Sequence, residues 1–348
     1  MLWVDKYRPT SLEKLSYHKA LAERLARLAS APDLPHLLFY GPSGAGKKTR
    51  IMALLRKVFG AGVEKMKLEH RTFKTPSKKS IEVTTVASSH HIEINPGDAG
   101  IHDRFVVQEV IKEIAQSGSL DSSVKVVLLS EVDSLTTDAQ HALRRTMEKY
   151  TKSCRLIMCC ESPSRVIDPV RSRCLGIRVP APTTPEIMSV LDTIAKKESL
   201  TLPKPFAAKV AAHSKGNLRR AILMLEACRV HNYPFTLDQP IQVTDWERFV
   251  ASIAADILAQ QSPRQLLVVR TKLYQLLVNC IPAVTVIKTL LLELVSKVSD
   301  PLKAELVKHA ATYEHRMLSG SKDIFHIEAF VAKAMAEIKR ADVGRFGS

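Results

Sequence analysis

Nine residues constrain the chain more than any others. Gly41-Pro-Ser-Gly-Ala-Gly-Lys-Lys-Thr49 lies between a short apolar run, His36-Leu-Leu-Phe-Tyr40, and a helix-patterned stretch from Gly46 to Phe59. Glycines in a strand-to-helix turn let backbone N–H groups face inward around an anion. The helix that follows adds the positive end of its dipole. Such a turn needs a sheet to hold its strand, and the surrounding pattern supplies one. His91 to Ile94, Val124 to Leu129, Arg155 to Cys160 and Leu175 to Val179 read as strands. Between them, Arg104 to Ala115 places Val106, Val107, Val110, Ile111 and Ile114 on one helical face, and Asp138 to Tyr150 reads as a helix with Thr137 as its cap. Strands alternating with helices predict an α/β fold: a parallel sheet with helices on both faces.

The alternation stops at Pro180-Ala-Pro-Thr-Thr-Pro185. Beyond these prolines the patterns are helical: Pro185 to Glu198, Pro205 to Ser214, Leu218 to His231, and longer amphipathic stretches from Trp246 with breaks at Pro263, Pro282, Pro301 and Gly320. The expected domains are therefore 1–179, an α/β core; 180–234, three helices; and 235–348, an all-α domain. A length of 348 residues suits two or three domains. With 51 basic and 35 acidic residues the net charge is +16, which favours phosphate-bearing or acidic partners, while 5% aromatics speak against a base-stacking single-strand binder. No stretch reaches the roughly 20 apolar residues of a membrane span, and Asp5, Lys6 and Arg8 interrupt any signal-peptide core. The six cysteines are expected to be reduced. Neither Cys159-Cys160 nor His90, His91 and His102 has metal-ligand spacing, so no metal site is expected.

Two positions depart from an ordinary phosphate-binding loop. The Ser or Thr that would follow Lys47 and hold Mg²⁺ is Lys48, and Thr49 is one helical step of about 100° away. In Val126-Val-Leu-Leu-Ser130-Glu131-Val132-Asp133, the first acidic position of a Walker B strand is Ser130, and Glu131 occupies the water-activating position. Both magnesium ligands are replaced together, which predicts nucleotide binding with little or no hydrolysis. Asp133 is the alternative ligand that would restore an active site.

Leu2-Trp-Val-Asp-Lys-Tyr-Arg-Pro9, the GPSGAGKKT loop, Ser172-Arg173-Cys174 and Gly216-Asn-Leu-Arg-Arg220 stand in the order and spacing of the small subunits of replication factor C. The chain closely resembles that family, the eukaryotic AAA+ clamp loader, over nearly its whole length. The GKKT loop with its SEVD element is similar to the small subunit that does not need its own hydrolysis. Asp138-Ala-Gln-His-Ala-Leu-Arg-Arg-Thr-Met-Glu148 and Tyr313-Glu-His-Arg316 strengthen the likeness.

The resemblance implies an AAA+ core, a three-helix lid and a helical collar. It implies an adenine nucleotide, ADP or ATP, held by Gly41, Pro42, Ser43, Gly44, Ala45, Gly46, Lys47, Lys48 and Thr49, with Val4, Tyr7, Arg8 and Pro9 around the adenine and Arg219 as the lid's phosphate sensor. Arg220 is the weaker choice. Glu161 takes the place of a polar sensor residue after the strand Leu156 to Cys160. Arg173 would act in trans as an arginine finger in a neighbouring subunit's site. Arg104 would face DNA, with Lys78, Lys79, Lys112, Arg144 and Arg145 as further basic candidates, and the segment Ile114-Ala-Gln-Ser117 would lie near the clamp. Partners implied are the other replication factor C subunits, the sliding clamp PCNA, primer–template DNA and alternative loaders including a checkpoint form; the implied location is the nucleus. Two other readings stay open. A self-sufficient helicase-loader ATPase would turn over ATP with Mg²⁺ as an isolated chain, and a scaffold with a vestigial site would bind no adenine nucleotide.

Overall fold

A computed structural model describes residues 1–31, 33–74, 80–116, 125–151, 153–236, 239–320 and 322–346. The chain divides into two compact units, Met1–Ile241 and Gln242–Ser348.

The first unit is built on a seven-stranded sheet. Its strands are β1 (Leu37–Tyr40), β2 (Lys67–Lys74), β3 (Ser80–Ala87), β4 (His91–Ile94), β5 (Lys125–Leu129), β6 (Cys154–Cys160) and β7 (Leu175–Arg178), in the order β2-β3-β4-β5-β6-β1-β7. From β4 to β7 the pairing is parallel. The central strands β1, β5 and β6 read as nearly unbroken apolar runs because both faces are covered, whereas the edge strand β7 is largely exposed. Alternate side chains feed two separate cores. Leu38, Val127, Leu129, Leu156 and Met158 pack with the helices on one face. Leu37, Phe39, Val126, Leu128 and Ile157 pack with those on the other. The helices of this unit begin with the short α1 (Trp3–Lys6), then α2 (Lys19–Ala29), α3 (Lys47–Phe59), α4 (Asp103–Gln116), α5 (Thr137–Tyr150) and the one-turn α6 (Asp168–Arg171). The five apolar residues expected on one face of α4 are all buried.

The antiparallel hairpin β2–β3 extends the sheet beyond β4. The strand–helix alternation gave no sign of it, since Lys67, Glu69 and Arg71 interrupt any apolar run. Charged side chains on an edge strand discourage pairing with another chain. The cap of α5 is Thr136, not Thr137. The Thr136 hydroxyl accepts from the Ala139 amide at 3.2 Å, and its own N–H and hydroxyl are held by the Asp103 carboxylate at 2.7 and 3.0 Å. That carboxylate ties the start of α5 to the start of α4.

Three helices complete the unit: α7 (Thr184–Lys197), α8 (Lys204–His213) and α9 (Leu218–His231). A capping box, Thr183 with Glu186, opens α7 directly after the prolines. Their shared core includes Leu191, Phe206, Leu225 and, from the N-terminus, Trp3.

The second unit holds α10 (Asp245–Ala259), α11 (Pro263–Val278), α12 (Ala283–Val295), α13 (Asp300–Ser319) and α14 (Asp323–Phe346) around Val250, Ile257, Leu273, Leu290, Leu306 and Phe330. Pro263 and Pro301 open helices, Pro282 caps one and Gly320 closes one, as residues lacking an N–H or a Cβ should. Among the described residues no helix is long and apolar enough to cross a membrane.

Candidate nucleotide site

β1 delivers the glycine loop to the C-terminal edge of the sheet, and α3 starts at Lys47 with Gly46 as its cap. Gly44 and Gly46 take φ of +71° and +84°, which L side chains rarely adopt. Space is as restrictive as conformation. A Cβ on Gly41 would lie 2.0 Å from the Val179 carbonyl oxygen, one on Gly44 1.9 Å from Asn217 Oδ1, and one on Gly46 2.5 Å from the Tyr17 hydroxyl. Asn217 is the cap of α9, so the lid meets the loop at Gly44. Below the loop, Tyr17 donates to the Ala45 carbonyl at 2.9 Å and carries the fully buried Arg50 guanidinium over its ring at 4.8 Å. Gly41, Pro42 and Ala45 shape the loop. Ser43, Gly44, Gly46, Lys47, Lys48 and Thr49 face the cleft.

The cleft is about 320 Å³ on the phosphate side. The Lys47 ammonium donates to the Gly41 and Pro42 carbonyls at 2.6 and 3.0 Å. The Lys48 ammonium lies 2.6 Å from the Glu93 carboxylate of β4, and the Ser130 hydroxyl donates to the same oxygen at 3.3 Å. The two Mg²⁺-ligand positions of an ordinary site therefore carry an ammonium and a hydroxyl, and the carboxylate between them, Glu93, is already matched by that ammonium. Asp133 is committed elsewhere: its Oδ2 accepts the amides of Glu161 and Ser162 at 3.0 and 3.3 Å, fixing the end of β6. This donor set suits a polyphosphate and offers a divalent cation little. Among the described residues no three His, Cys, Asp or Glu side chains converge on a point that could hold a metal. Glu131, with φ +52°, and Glu161 border the same space. So do Cys159 and Cys160, whose thiols burial pushes up to about 11 and about 12 and so keeps neutral. Cys154, Cys159, Cys160, Cys174 and Cys280 are free thiols.

A second cleft of about 170 Å³ adjoins the first, and Arg8, Gly44, Gly46, Thr49 and Arg219 border both. It brings together Val4, Tyr7, Arg8 and Pro9 with Val190 and Ile194 of α7 and Ile222 of α9. Arg220 borders neither. Apolar walls beside a glycine cradle fit a nucleoside base next to its phosphates. Sequence reasoning missed Tyr17 and Glu93. Glu93 had one visible signal, a charge in the middle of a buried strand.

Arg173 borders neither cleft of its own chain. It follows α6 and precedes β7, with Nη1 donating to the Pro169 carbonyl at 2.7 Å and Nη2 paired with Glu148 at 2.6 Å. Arg104 lines a third, basic cleft with Gln108, Asp138, His141, Arg144 and Arg145. Lys112 pairs with Glu109 outside it. Lys78, Lys79 and Ser117 lie outside the described residues.

Known proteins agree with this architecture. Three family models match in sequence: "DNA polymerase III, delta subunit" over residues 17–183, "RCF1/5-like, AAA+ ATPase lid domain" over 189–230, and "Replication factor C subunit 3, C-terminal domain" over 246–342. Replication factor C subunit 3 of Mus musculus is 57% identical over 343 residues, covering 97% of this chain and 96% of that one. Replication factor C subunit 5 of Oryza sativa is 54% identical with both chains fully covered. The chain belongs to the replication factor C family. Within it, the chain is of the subunit 3/5 type. A variant of RuvB from Thermotoga maritima matches in structure with a TM-score of 0.51 at 16% identity, over 76% of this chain and 85% of that one. That likeness concerns the fold alone, and the fold is AAA+. Membership in replication factor C makes the chain one subunit of a multi-subunit assembly, and the AAA+ fold carries nucleotide binding.

Proposed function

We propose that this replication factor C subunit binds an adenine nucleotide without depending on Mg²⁺, hydrolyses it little or not at all, and supplies Arg173 to a neighbouring subunit's ATPase site. The assembled loader places PCNA on primer–template DNA in the nucleus, in replication and repair. The Lys48–Glu93 pair carries the first part. An internal cation sits in the phosphate cleft, and without a metal the charge that develops on a transferred phosphoryl lacks its main stabiliser. The position of Arg173, away from both clefts of its own chain, supports its use by another chain. Guanidinium groups aimed at a γ-phosphate contribute on the order of 10³–10⁵ in rate in related systems. The basic cleft at Arg104 suits a DNA backbone. On α11 the exposed Leu267, Tyr274 and Val278 form a stripe suited to packing against sister subunits.

The test is clamp- and DNA-stimulated ATP hydrolysis by the assembled complex with wild-type chain or Arg173→Ala, gel filtration confirming assembly. A large loss of rate in an intact complex is expected. An unchanged rate refutes the trans role and leaves a scaffold.

A further inference from the structure

We infer that Glu198 is a positioning residue for the base pocket: it ties the N-terminal strap to the lid, so that the wall facing the base belongs to the lid. This inference rests on the cleft being a nucleotide site.

Glu198 stands at the C-terminal cap of α7. A carboxylate there meets the negative end of the helix dipole, so local helix formation does not explain its presence. Its partners do. One oxygen, Oε1, accepts from the Lys6 ammonium at 2.6 Å and from the Tyr7 hydroxyl. The other, Oε2, accepts from Arg229 Nη1 of α9 at 3.3 Å. The side chain is only 11% exposed although three polar groups converge on it. The hydrogen bonds from Lys6 and Tyr7 hold its carboxyl below the usual carboxylate range. Around this centre the strap is fastened at further points. The Trp3 amide donates to Glu226 of α9 at 3.1 Å, the Arg229 guanidinium lies 5.2 Å from the Trp3 ring, and Trp3 itself is buried in the lid core. The Lys197 ammonium lies 5.5 Å from the Tyr7 ring.

Glu198 does not border the base cleft, yet it grips Tyr7, which does. Val4, Tyr7 and Pro9 of the strap thus share one framework with Val190, Ile194 and Ile222 of the lid, opposite a floor made by Leu15, Tyr17 and the glycine loop. A base in this cleft has its upper wall held by the lid and its phosphates held by the core. Glu198 acts through Tyr7, and it should govern base affinity and base selectivity while leaving phosphate affinity alone.

The experiment uses the full chain and titrates ADP, GDP and tripolyphosphate against wild type, Glu198→Gln and Glu198→Ala. Thermal melts and the emission of Trp3 in a Trp246→Phe background report folding and strap attachment. Expected for Glu198→Ala are an ADP Kd raised about tenfold or more, a GDP-to-ADP Kd ratio falling toward one, and tripolyphosphate binding within about twofold of wild type. Glu198→Gln keeps one acceptor oxygen, enough for Tyr7 or for Arg229 but not for both, and loses the charge, so it should fall between wild type and Glu198→Ala. Equal weakening of ADP and tripolyphosphate would mean a merely structural residue and overturn the inference. ADP binding unchanged in both variants would do so as well. Wild-type chain that binds no ADP would instead refute the nucleotide reading itself.

Discussion

Lys48→Ala separates an internal cation from a metal as the partner of the phosphates. In the structure the Lys48 side chain is 47% exposed and borders the cleft, its ammonium 2.6 Å from the carboxylate of Glu93, whose side chain is 11% exposed. Two effects follow from its removal. A charge-assisted hydrogen bond to phosphate, worth ~1.5–3 kcal/mol, is lost, which corresponds to roughly 10- to 150-fold in Kd. Glu93 is then left facing the phosphates with no counter-charge, and like charges in a partly buried cleft repel more than in water. The second effect can be isolated, because Glu93→Gln removes it. Lys48→Ala/Glu93→Gln should bind ADP more tightly than Lys48→Ala alone and more weakly than wild type. Titration calorimetry in excess EDTA and again in millimolar Mg²⁺ reads both effects. Wild-type Kd should agree within about twofold between the two buffers. A wild-type site that loses about tenfold or more in EDTA, or a Lys48→Ala chain as tight as wild type, would refute the argument.

Two further outcomes concern the framework of the site. Gly44→Ala forces an L residue into positive φ and drives a methyl into Asn217, so it should cost about 1–2 kcal/mol in strain plus about 1 kcal/mol for the disturbed cap, read as a lower urea midpoint and weaker ADP binding. Asn217→Gly in the same chain should recover part of the loss, and failure to recover would show that the contact is not the cause. His36 is 8% exposed, and its Nδ1 accepts the Leu156 amide at 3.0 Å, while burial lowers its pKa. The unfolded chain therefore binds a proton that the folded chain refuses, so stability is unaffected above about pH 6.5 and falls as pH drops below it, by up to about 1.4 kcal/mol per pH unit. His91, buried with a lowered pKa on β4, adds in the same direction. Urea midpoints between about pH 7 and 5 should show the decline, and His36→Asn should reduce its slope.

The parallel core was legible because strands covered on both faces carry unbroken apolar runs, and the helices between them repeat at 3.6. Proline and glycine marked the helix ends of the second unit for backbone reasons that operate locally. The β2–β3 hairpin was not legible, since an edge strand alternates charged and apolar side chains with no run to detect. The same limit applied to the site. Lys48 and Ser130 announced a changed phosphate cleft by their places in a motif. Glu93 and Tyr17 reach the site from 45 and 30 residues away along the chain, respectively, measured to Lys48 and Lys47; the sheet order brings Glu93 there, and the packing of the segment before α2 under the glycine loop brings Tyr17. Likewise, the sequence places Tyr7 near an adenine by resemblance, but that Glu198 holds it follows only from the way α1 lies on the lid.

The pairing of β1 with β7 has a mechanical consequence. The strands are parallel, with Leu37 opposite Leu175 and Tyr40 opposite Arg178. The glycine loop leaves one end of this pair, and Arg173 enters at the other. Four residues at about 3.3 Å each set ~13 Å of hydrogen-bonded backbone between them. No hinge interrupts that length. The two strands work as a gauge block: their hydrogen-bonded pairing sets the spacing between the glycine loop and Arg173. On the proposed reading, in which the loop holds a nucleotide and Arg173 serves a neighbouring subunit, the step from one site to the next is set in part by the length of a strand.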